Sequence, residues 1–346
     1  MASIPADELL PVPDQEETVR PRAAVLRPVL AVWLLVVAFG AVAVWRSAVV
    51  DVAFKDPGGR IFRDRLSTAL TLLVLALLLD AVWRTHRRGW SRASVLATVR
   101  ERCGWERLAL MVSGLAAYHL VYLSYRNLKS WDAFNTPRDA DLIALDERLF
   151  GEAPWVLLHD LLGRDSAAWV LMVVYKSFTY LVPWSLLCAL VFTRTIRRGY
   201  VFLAAAMWTW VLGTASYYLI PSLGPFATAA EDFTGLPHTP ITDTWAEYLE
   251  QRAAFLADPQ APDTFVSISA FASLHTGFTC MIMLMAFYYG HRWLGGVLAV
   301  YLAAVMVSTI YWGWHFTIDD VGGIVLAVLA VALAHVTVVG LRRRVP

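Results

Sequence analysis

Two histidines and one aspartate are the residues of this sequence best suited to catalysis. His315 and Asp319 are four positions apart, and His275 lies forty positions earlier. If the later segment is helical, positions i and i+4 share a face, so Asp319 can accept a hydrogen bond from Nδ1 of His315. The Nε2 atom is then available as a nucleophile or base. A protonated His275 could donate a proton to a leaving oxygen. The trio indicates a displacement at phosphorus through a phosphohistidine, which requires no metal and no cofactor. The alternative is that these are interfacial polar residues bonded to backbone.

The composition indicates that these residues are positioned by membrane helices. The 346 residues are 58% hydrophobic and 16% charged, whereas soluble domains have roughly 25% charged residues. Twenty-nine basic against 28 acidic side chains give a net charge of +1, which does not suggest a nucleic-acid partner. The three cysteines form neither a disulfide framework nor a zinc pattern.

Apolar stretches of about 20 residues are long enough to cross a bilayer as helices. The sequence predicts an all-α, polytopic membrane protein with about eight such segments: 28–45, 66–83, 108–125, 167–192, 200–220, 272–289, 294–312 and 321–341. We interpret residues 1–27 as a disordered cytoplasmic tail before a retained signal anchor, residues 28–107 as two additional helices with their loops, and residues 108–346 as the catalytic core.

The loop arginines predict the orientation. The side that holds both termini has 17 basic residues, and the opposite side has 11. The 46–65 loop, which holds five of these 11, favours the reverse orientation. We therefore expect both termini in the cytoplasm and all three candidate catalytic residues at the outer face of a membrane, most simply a bacterial plasma membrane. The 50-residue outer loop at 221–270 is too long for a plain connector.

At these residues the chain resembles the phosphatidic acid phosphatase type 2 superfamily. Its third motif, Ser-Arg, five residues, His, three residues, Asp, is matched by Ser308-Thr309, His315 and Asp319, except at the Arg. Its second motif, Ser-Gly-His, corresponds to Ser273-Leu274-His275. The resemblance implies a six-helix core, with His315 as nucleophile, Asp319 as its orienting partner and His275 as general acid. It also implies that Ser273 and Ser308 contact the phosphate.

The departures from the family pattern concern the phosphate-binding cations. Thr309 replaces the motif Arg, and the first motif is reduced to Lys176 and Pro183, with Val182 in place of an Arg and a spacing one residue short. The inositolphosphotransferase-like branch, which includes the inositol phosphorylceramide synthases, resembles the chain more closely because it also lacks these cations. The segment 141–155 adds a weaker similarity to that branch.

A transferring phosphoryl group still requires positive charge. Lys176 is one candidate, although it lies nine residues, or about 13 Å, below the expected outer end of its helix. It reaches the site only if that helix starts late or dips. Arg126 and Lys129, just outside the third segment, are the alternatives, against the ordinary role of solvated basic residues at a helix end.

Other ionisable residues in the apolar segments carry weaker indications. His119 could support the site, but a core histidine bonded to a neighbouring helix is the better interpretation. We expect Asp80 to be a carboxylate that extends to the inner interface, and Asp320 to be favoured by the helix dipole.

The sequence thus favours a lipid phosphotransferase that moves a phospho-head group such as phosphoinositol, in a bilayer and on a lipid phosphate or phospholipid. One alternative is a phosphatase acting on phosphatidate or polyprenyl phosphates. A non-catalytic transporter or scaffold that inherited the fold is an alternative of another class.

Overall fold

The computed structural model describes residues 23–262 and 264–340. These residues form thirteen α-helices and no strand, with a 3₁₀ turn at Ala230–Phe233. The helices are α1 (Ala23–Val50), α2 (Arg60–Arg88), α3 (Arg92–Arg102), α4 (Trp105–Asp132), α5 (Asp139–Phe150), α6 (Pro154–Leu162), α7 (Ser166–Phe192), α8 (Ile196–Leu219), α9 (Pro225–Thr228), α10 (Pro240–Ala257), α11 (Leu274–Tyr288), α12 (Arg292–Tyr311) and α13 (Thr317–Val339).

The prediction of an all-helical polytopic membrane protein is confirmed. Seven helices are long and apolar enough to span a bilayer, namely α1, α2, α4, α7, α8, α12 and α13. The remaining predicted segment is α11, a shorter apolar helix of 15 residues. At 1.5 Å per residue it is only about 22 Å long. Its first turn carries His275, which packs against Tyr175 and Phe178 of α7. The N-terminus of α11 therefore lies beside the middle of α7 and not beside the first turn of that helix.

The predicted N-terminal boundary needs one correction. Helix α1 begins at Ala23 rather than at residue 28. The residues before Pro28 are mostly apolar and continue the helix in the N-terminal direction. The proposed disordered tail otherwise falls on residues 1–22, which lie outside the described residues.

Helix α8 lies at the centre of the bundle. It packs against α4, α7, α11 and α13, and its face at residues 199–207 is almost fully buried. Helices α1 and α2 pack on the outside, α1 against α4 and α13, and α2 against α4 and α7. The two long loops fold into short helices, with α5 and α6 in the first and α9 and α10 in the second.

Candidate active site

His315 and Asp319 form a buried pair at the junction of α12 and α13. Nδ1 of His315 is 3.3 Å from Oδ2 of Asp319. His315 lies before the first residue of α13, so the contact forms from the turn and not along one helix face as the spacing predicted. The same carboxylate oxygen accepts a 2.9 Å hydrogen bond from the backbone N–H of Phe316, which fixes the carboxylate at the start of α13. Asp319 is fully buried and His315 is 5% exposed. The imidazole is thus held through Nδ1 and can act through Nε2.

His275 lies on α11 and His315 in the turn between α12 and α13, and their rings are arranged edge to face. Their ring centroids are 5.7 Å apart. His275, in the first turn of α11, packs against the rings of Tyr175 and Phe178 at 4.6 and 4.4 Å between centroids. This separation allows one phosphoryl group to contact both imidazoles.

Backbone contacts between α11 and α13 keep the two motifs together. The N–H of Ser273 donates to the carbonyl of Asp319 at 3.0 Å, and the Thr276 hydroxyl donates to Asp320 at 2.5 Å. A Cβ at Gly323 would lie 2.6 Å from the Ser273 carbonyl. Only a glycine at this position allows the two helices to approach so closely. Asp320 is therefore a buried bridge between α11 and α13, rather than the dipole-favoured carboxylate expected at a helix start.

A glycine turn places His315. Gly313 ends α12 with a φ of +65°, and its N–H donates to the carbonyl of Ile310. A Cβ there would lie 2.3 Å from the ring of Phe233. Because an L side chain would be strained and would clash, Gly313 is required for the chain to turn into the motif.

Two carboxylates of α5 support the catalytic loops. Asp139 accepts hydrogen bonds of 2.8 to 3.0 Å from the backbone N–H groups of Leu223 and Gly224, and Asp146 accepts one of 3.0 Å from Thr317 at the first residue of α13. Burial raises the pKa of both carboxyl groups, while these backbone hydrogen bonds oppose that rise. The segment that the sequence marked only weakly therefore holds the loops that carry the site.

A cavity of about 440 Å³ adjoins the two histidines. Its polar end is formed by His275, His315 and several cations, and its walls are largely aromatic. The ring of Trp314 stacks on Tyr175 at 5.4 Å and 9°. A site of this volume accommodates a small ligand or the reacting end of a larger one.

All three candidate phosphate-binding cations line this cavity. Lys129 is 9% exposed, and its ammonium lies 5.3 Å from the ring centroid of Tyr217. Arg126 donates to the hydroxyl of Ser267 at 3.3 Å, and Lys176 donates to Thr244 at 3.0 Å. Lys176 reaches the cavity because the site lies deep in the bundle, at the N-terminus of α11. Helix α7, which carries Lys176, therefore need not start late.

The cation of Lys129 affects the nucleophile. Burial, together with the positive charge of Lys129, lowers the pKa of His315 to about 3, and a hydrogen bond to the Ala270 backbone opposes this shift. The free imidazole is therefore neutral at physiological pH.

Neither candidate serine lines the cavity. The Ser273 hydroxyl accepts from the N–H of Thr276 and caps α11. The Ser308 hydroxyl donates to the carbonyl of Leu171 at 2.7 Å and joins α12 to α7. In this structure both serines hold helices in place, and neither contacts the space that a phosphate would occupy. Thr309, at the position of the missing motif Arg, is likewise fully buried and away from the cavity.

Several lining residues were not anticipated. Arg65 of α2 borders the cavity with its guanidinium 4.3 Å above the ring of Tyr122, and Tyr248 and Ser267 come from the long segment between α8 and α11. His119 also lines the cavity, and its Nδ1 bonds to the carbonyl of Leu115 in its own helix rather than to a neighbouring helix. The spacing of Arg65, Ala69 and Leu72, which places them on one face of α2, could have indicated that this helix lines the cavity.

A sequence model of the PAP2 superfamily matches residues 140–333, more than half of the chain. The chain belongs to the PAP2, or phosphatidic acid phosphatase type 2, superfamily. This membership supports phosphatase- or phosphotransferase-type chemistry on lipid phosphates. No curated protein and no solved structure matches the chain. The matched region contains the His-Asp pair, His275 and Lys176, whereas Arg126 and Lys129 precede it.

Proposed function

We propose that this protein is a metal-independent lipid phosphotransferase that works through a phosphohistidine at His315. The observation that carries the proposal is the pair of imidazoles, 5.7 Å apart, with Asp319 on Nδ1 of one of them. Four cationic side chains border the same cavity, namely Arg65, Arg126, Lys129 and Lys176. This combination supplies a nucleophile, a proton donor and charge stabilisation for phosphoryl transfer.

In the first step, Nε2 of His315 attacks phosphorus and forms the N–P bond as the P–O bond to the leaving group breaks. Protonated His275 donates its proton to the leaving oxygen. Asp319 stabilises the positive charge that the imidazole acquires.

In the second step, an acceptor hydroxyl loses its proton to His275 and its oxygen attacks phosphorus. The N–P bond breaks, and the electron pair returns to His315. Lys129, Arg126 and Lys176 offset the charge on the equatorial phosphoryl oxygens. No net oxidation occurs, and both histidines return to their starting protonation states.

The aromatic enclosure supports an alcohol as the acceptor. Trp314, Tyr175 and Phe178 surround the histidines, and a water-poor site protects a reactive intermediate from hydrolysis. Transfer of a phospho-head group such as phosphoinositol is the reaction we favour.

Hydrolysis is the second candidate, favoured by a specific observation. Four cations at one cavity suit a phosphomonoester, which carries more negative charge than a phosphodiester. The substrate would then be phosphatidate or a polyprenyl phosphate, with water as acceptor.

A radiolabelled lipid assay distinguishes the two reactions. Purified protein would be incubated with labelled phosphatidylinositol or phosphatidate, with and without a lipid alcohol, and with a chelator in a parallel sample. We expect a labelled lipid product that depends on the alcohol and is unaffected by the chelator. Free phosphate as the sole product would favour the hydrolase. Absence of turnover on every lipid phosphate would support a non-catalytic membrane module.

A further inference from the structure

The cavity at the histidines continues away from them between three helices. On α7 its lining residues recur on one face from Tyr175 to Leu187. Twelve residues of helix correspond to about 18 Å. On α4 the lining face runs from Leu115 to Lys129, again with helical periodicity. The space is therefore an elongated channel along the helices, not a rounded pocket at the surface.

Helix α2 supplies another wall. Arg65, Ala69 and Leu72 line the channel at positions i, i+4 and i+7, which share one helical face. This helix lies outside the region that the superfamily model matches. An element additional to the matched core thus closes the side of the cavity.

The lining changes from charged to apolar along the channel. Near the histidines it carries Arg126, Lys129 and Lys176, whereas the far end is formed by Leu72, Leu115, Val182, Leu186 and Leu187. Thr179 and Pro183 line the same space and are exposed on the surface of α7, so the channel communicates with the surrounding bilayer.

We infer that the apolar end of this channel binds a hydrocarbon chain of the lipid phosphate, and that the α2 face formed by Arg65, Ala69 and Leu72 selects that chain. The inference rests on the proposed function. Continuity with the histidines and the cation cluster identifies the occupant, because a phosphate at the polar end places the chain attached to it at the apolar end. Burial of apolar surface stabilises the bound chain in proportion to the contact area.

A second, larger apolar cavity does not have these properties. It measures about 740 Å³ and lies between α7, α11 and α12, lined by residues such as Trp184, Cys188, Leu298 and Tyr301. Neither His275 nor His315 borders it. It serves as the comparison site for the experiment.

The first test narrows the channel with Leu72→Trp. The matched control is Val74→Trp, because Val74 is 55% exposed and lies about 200° further round α2. Turnover would be measured on a long-chain lipid phosphate and on its short-chain, water-soluble analogue. We expect Leu72→Trp to raise KM for the long-chain substrate about tenfold, with the short-chain reaction and the control unchanged. Equal loss on both substrates, or no loss on either, would overturn the inference.

The second test does not depend on turnover. Full-length protein would be labelled with a lipid phosphate that carries a photoreactive group in its chain, and the adducts mapped by mass spectrometry. Adducts at Arg65, Ala69 or Leu72 of α2, or at Thr179, Val182 or Pro183 of α7, support the channel. Adducts confined to α12, or none at all, overturn it. If labelling maps to the channel but the protein turns over no lipid phosphate, the proposed function fails while the binding site stands.

Discussion

His315 is held by the Asp319 carboxylate and by the Ala270 backbone. Its Nδ1 faces Asp319, and that carboxylate is fixed in turn by the Phe316 N–H. The arrangement determines the tautomer and directs the other nitrogen toward the cavity. A substitution that keeps the shape of the Asp319 side chain but alters its hydrogen bond to His315 tests the function of this pair.

The Asp319→Asn variant should reduce turnover by about a hundredfold or more, since an amide neither stabilises the imidazolium nor maintains the correct tautomer. Steady-state kinetics in detergent measure this effect, and thermal unfolding verifies the fold. Turnover within a few-fold of the native protein would contradict an orienting role for Asp319.

Lys129 should control the pH profile. Because its charge lowers the pKa of His315 and the neutral imidazole is the nucleophile, the acid limb of kcat/KM should fall below the ordinary histidine value of 6.5. Lys129→Met removes a positive charge, which raises the pKa of His315 and moves this limb to higher pH.

Lys176→Met is the matched control for that shift. Lys176 borders the same cavity, but its charge is not among the causes of the His315 shift. We expect it to raise KM with little movement of the limb. An equal movement in both variants, or none in the Lys129 variant, would contradict this assignment.

At the residue scale, the sequence indicated that His275, His315 and Asp319 lie together, but it did not indicate which residues surround them. The spacing of His315 and Asp319 indicated a contact, but the contact forms from the turn before α13 and not along one helix face. The partner of Ser308, by contrast, is a carbonyl of α7 that no local pattern indicates. Which of the three cations approaches the site likewise depends on the depth of α11, a tertiary property.

Helix α5 shows how one element determines the geometry of another. Asp146 accepts from the Thr317 N–H, one of the unpaired donors at the start of α13, the helix that carries Asp319. Its other oxygen, Oδ1, has no hydrogen-bond partner in the part of the chain that the structure describes.

Asp146→Ala should destabilise the protein by about 1–2 kcal/mol, the usual cost of losing a cap, and should lower kcat by displacing α13. Asp146→Asn retains an acceptor and should recover much of the activity. The exposed neighbour Glu147, changed to Ala, is the control. Thermal unfolding and kinetics together test the role, which would be wrong if both Asp146 variants behaved like the control.

The interpretation of Asp80 needs correction. Asp80 is 1% exposed and pairs with Arg84 at 2.8 Å and with Arg102 at 2.9 Å, so it is a buried ion-pair residue and not one that extends to an interface. Arg102 also donates to the carbonyls of Val191 and Thr193 at the end of α7. Sequence hydropathy could not show that α3 folds back to cover the carboxylate.

Asp80→Ala should cost about 3 kcal/mol, since it leaves a buried guanidinium without its counter-ion. Thermal unfolding in detergent measures the loss. The control is Asp64→Ala. Asp64 is exposed on the same helix, and its backbone carbonyl, not its side chain, accepts its hydrogen bonds. Equal stability of the two variants would exclude a structural role for the pair.

For the whole molecule, the fold class was predictable because bilayer thickness restricts the length of apolar helices. The additional helices were also recognised, but not their contribution to the site. Arg65 and Leu72 of α2, with Arg126 and Lys129 of α4, show that the cavity is shared between the matched core and the preceding helices. Such sharing depends on helix packing, which one sequence does not determine.

The excess of basic residues on one side predicts that residue 194 faces the cytoplasm and residue 152 the exterior. In a protein without its native cysteines, Glu152→Cys should react with a membrane-impermeant thiol reagent on intact cells. Arg194→Cys should react only after permeabilisation. The reverse pattern would place the active site on the cytoplasmic side.

The most direct test of the central claim is to trap the covalent intermediate. Protein incubated with a lipid labelled at phosphorus would be quenched, digested and examined by mass spectrometry. We predict a phosphorus-containing adduct on His315 that is reduced in His275→Ala, where the leaving oxygen is no longer protonated, and absent in His315→Ala. An adduct on another residue, or turnover that persists in His315→Ala, would contradict the mechanism.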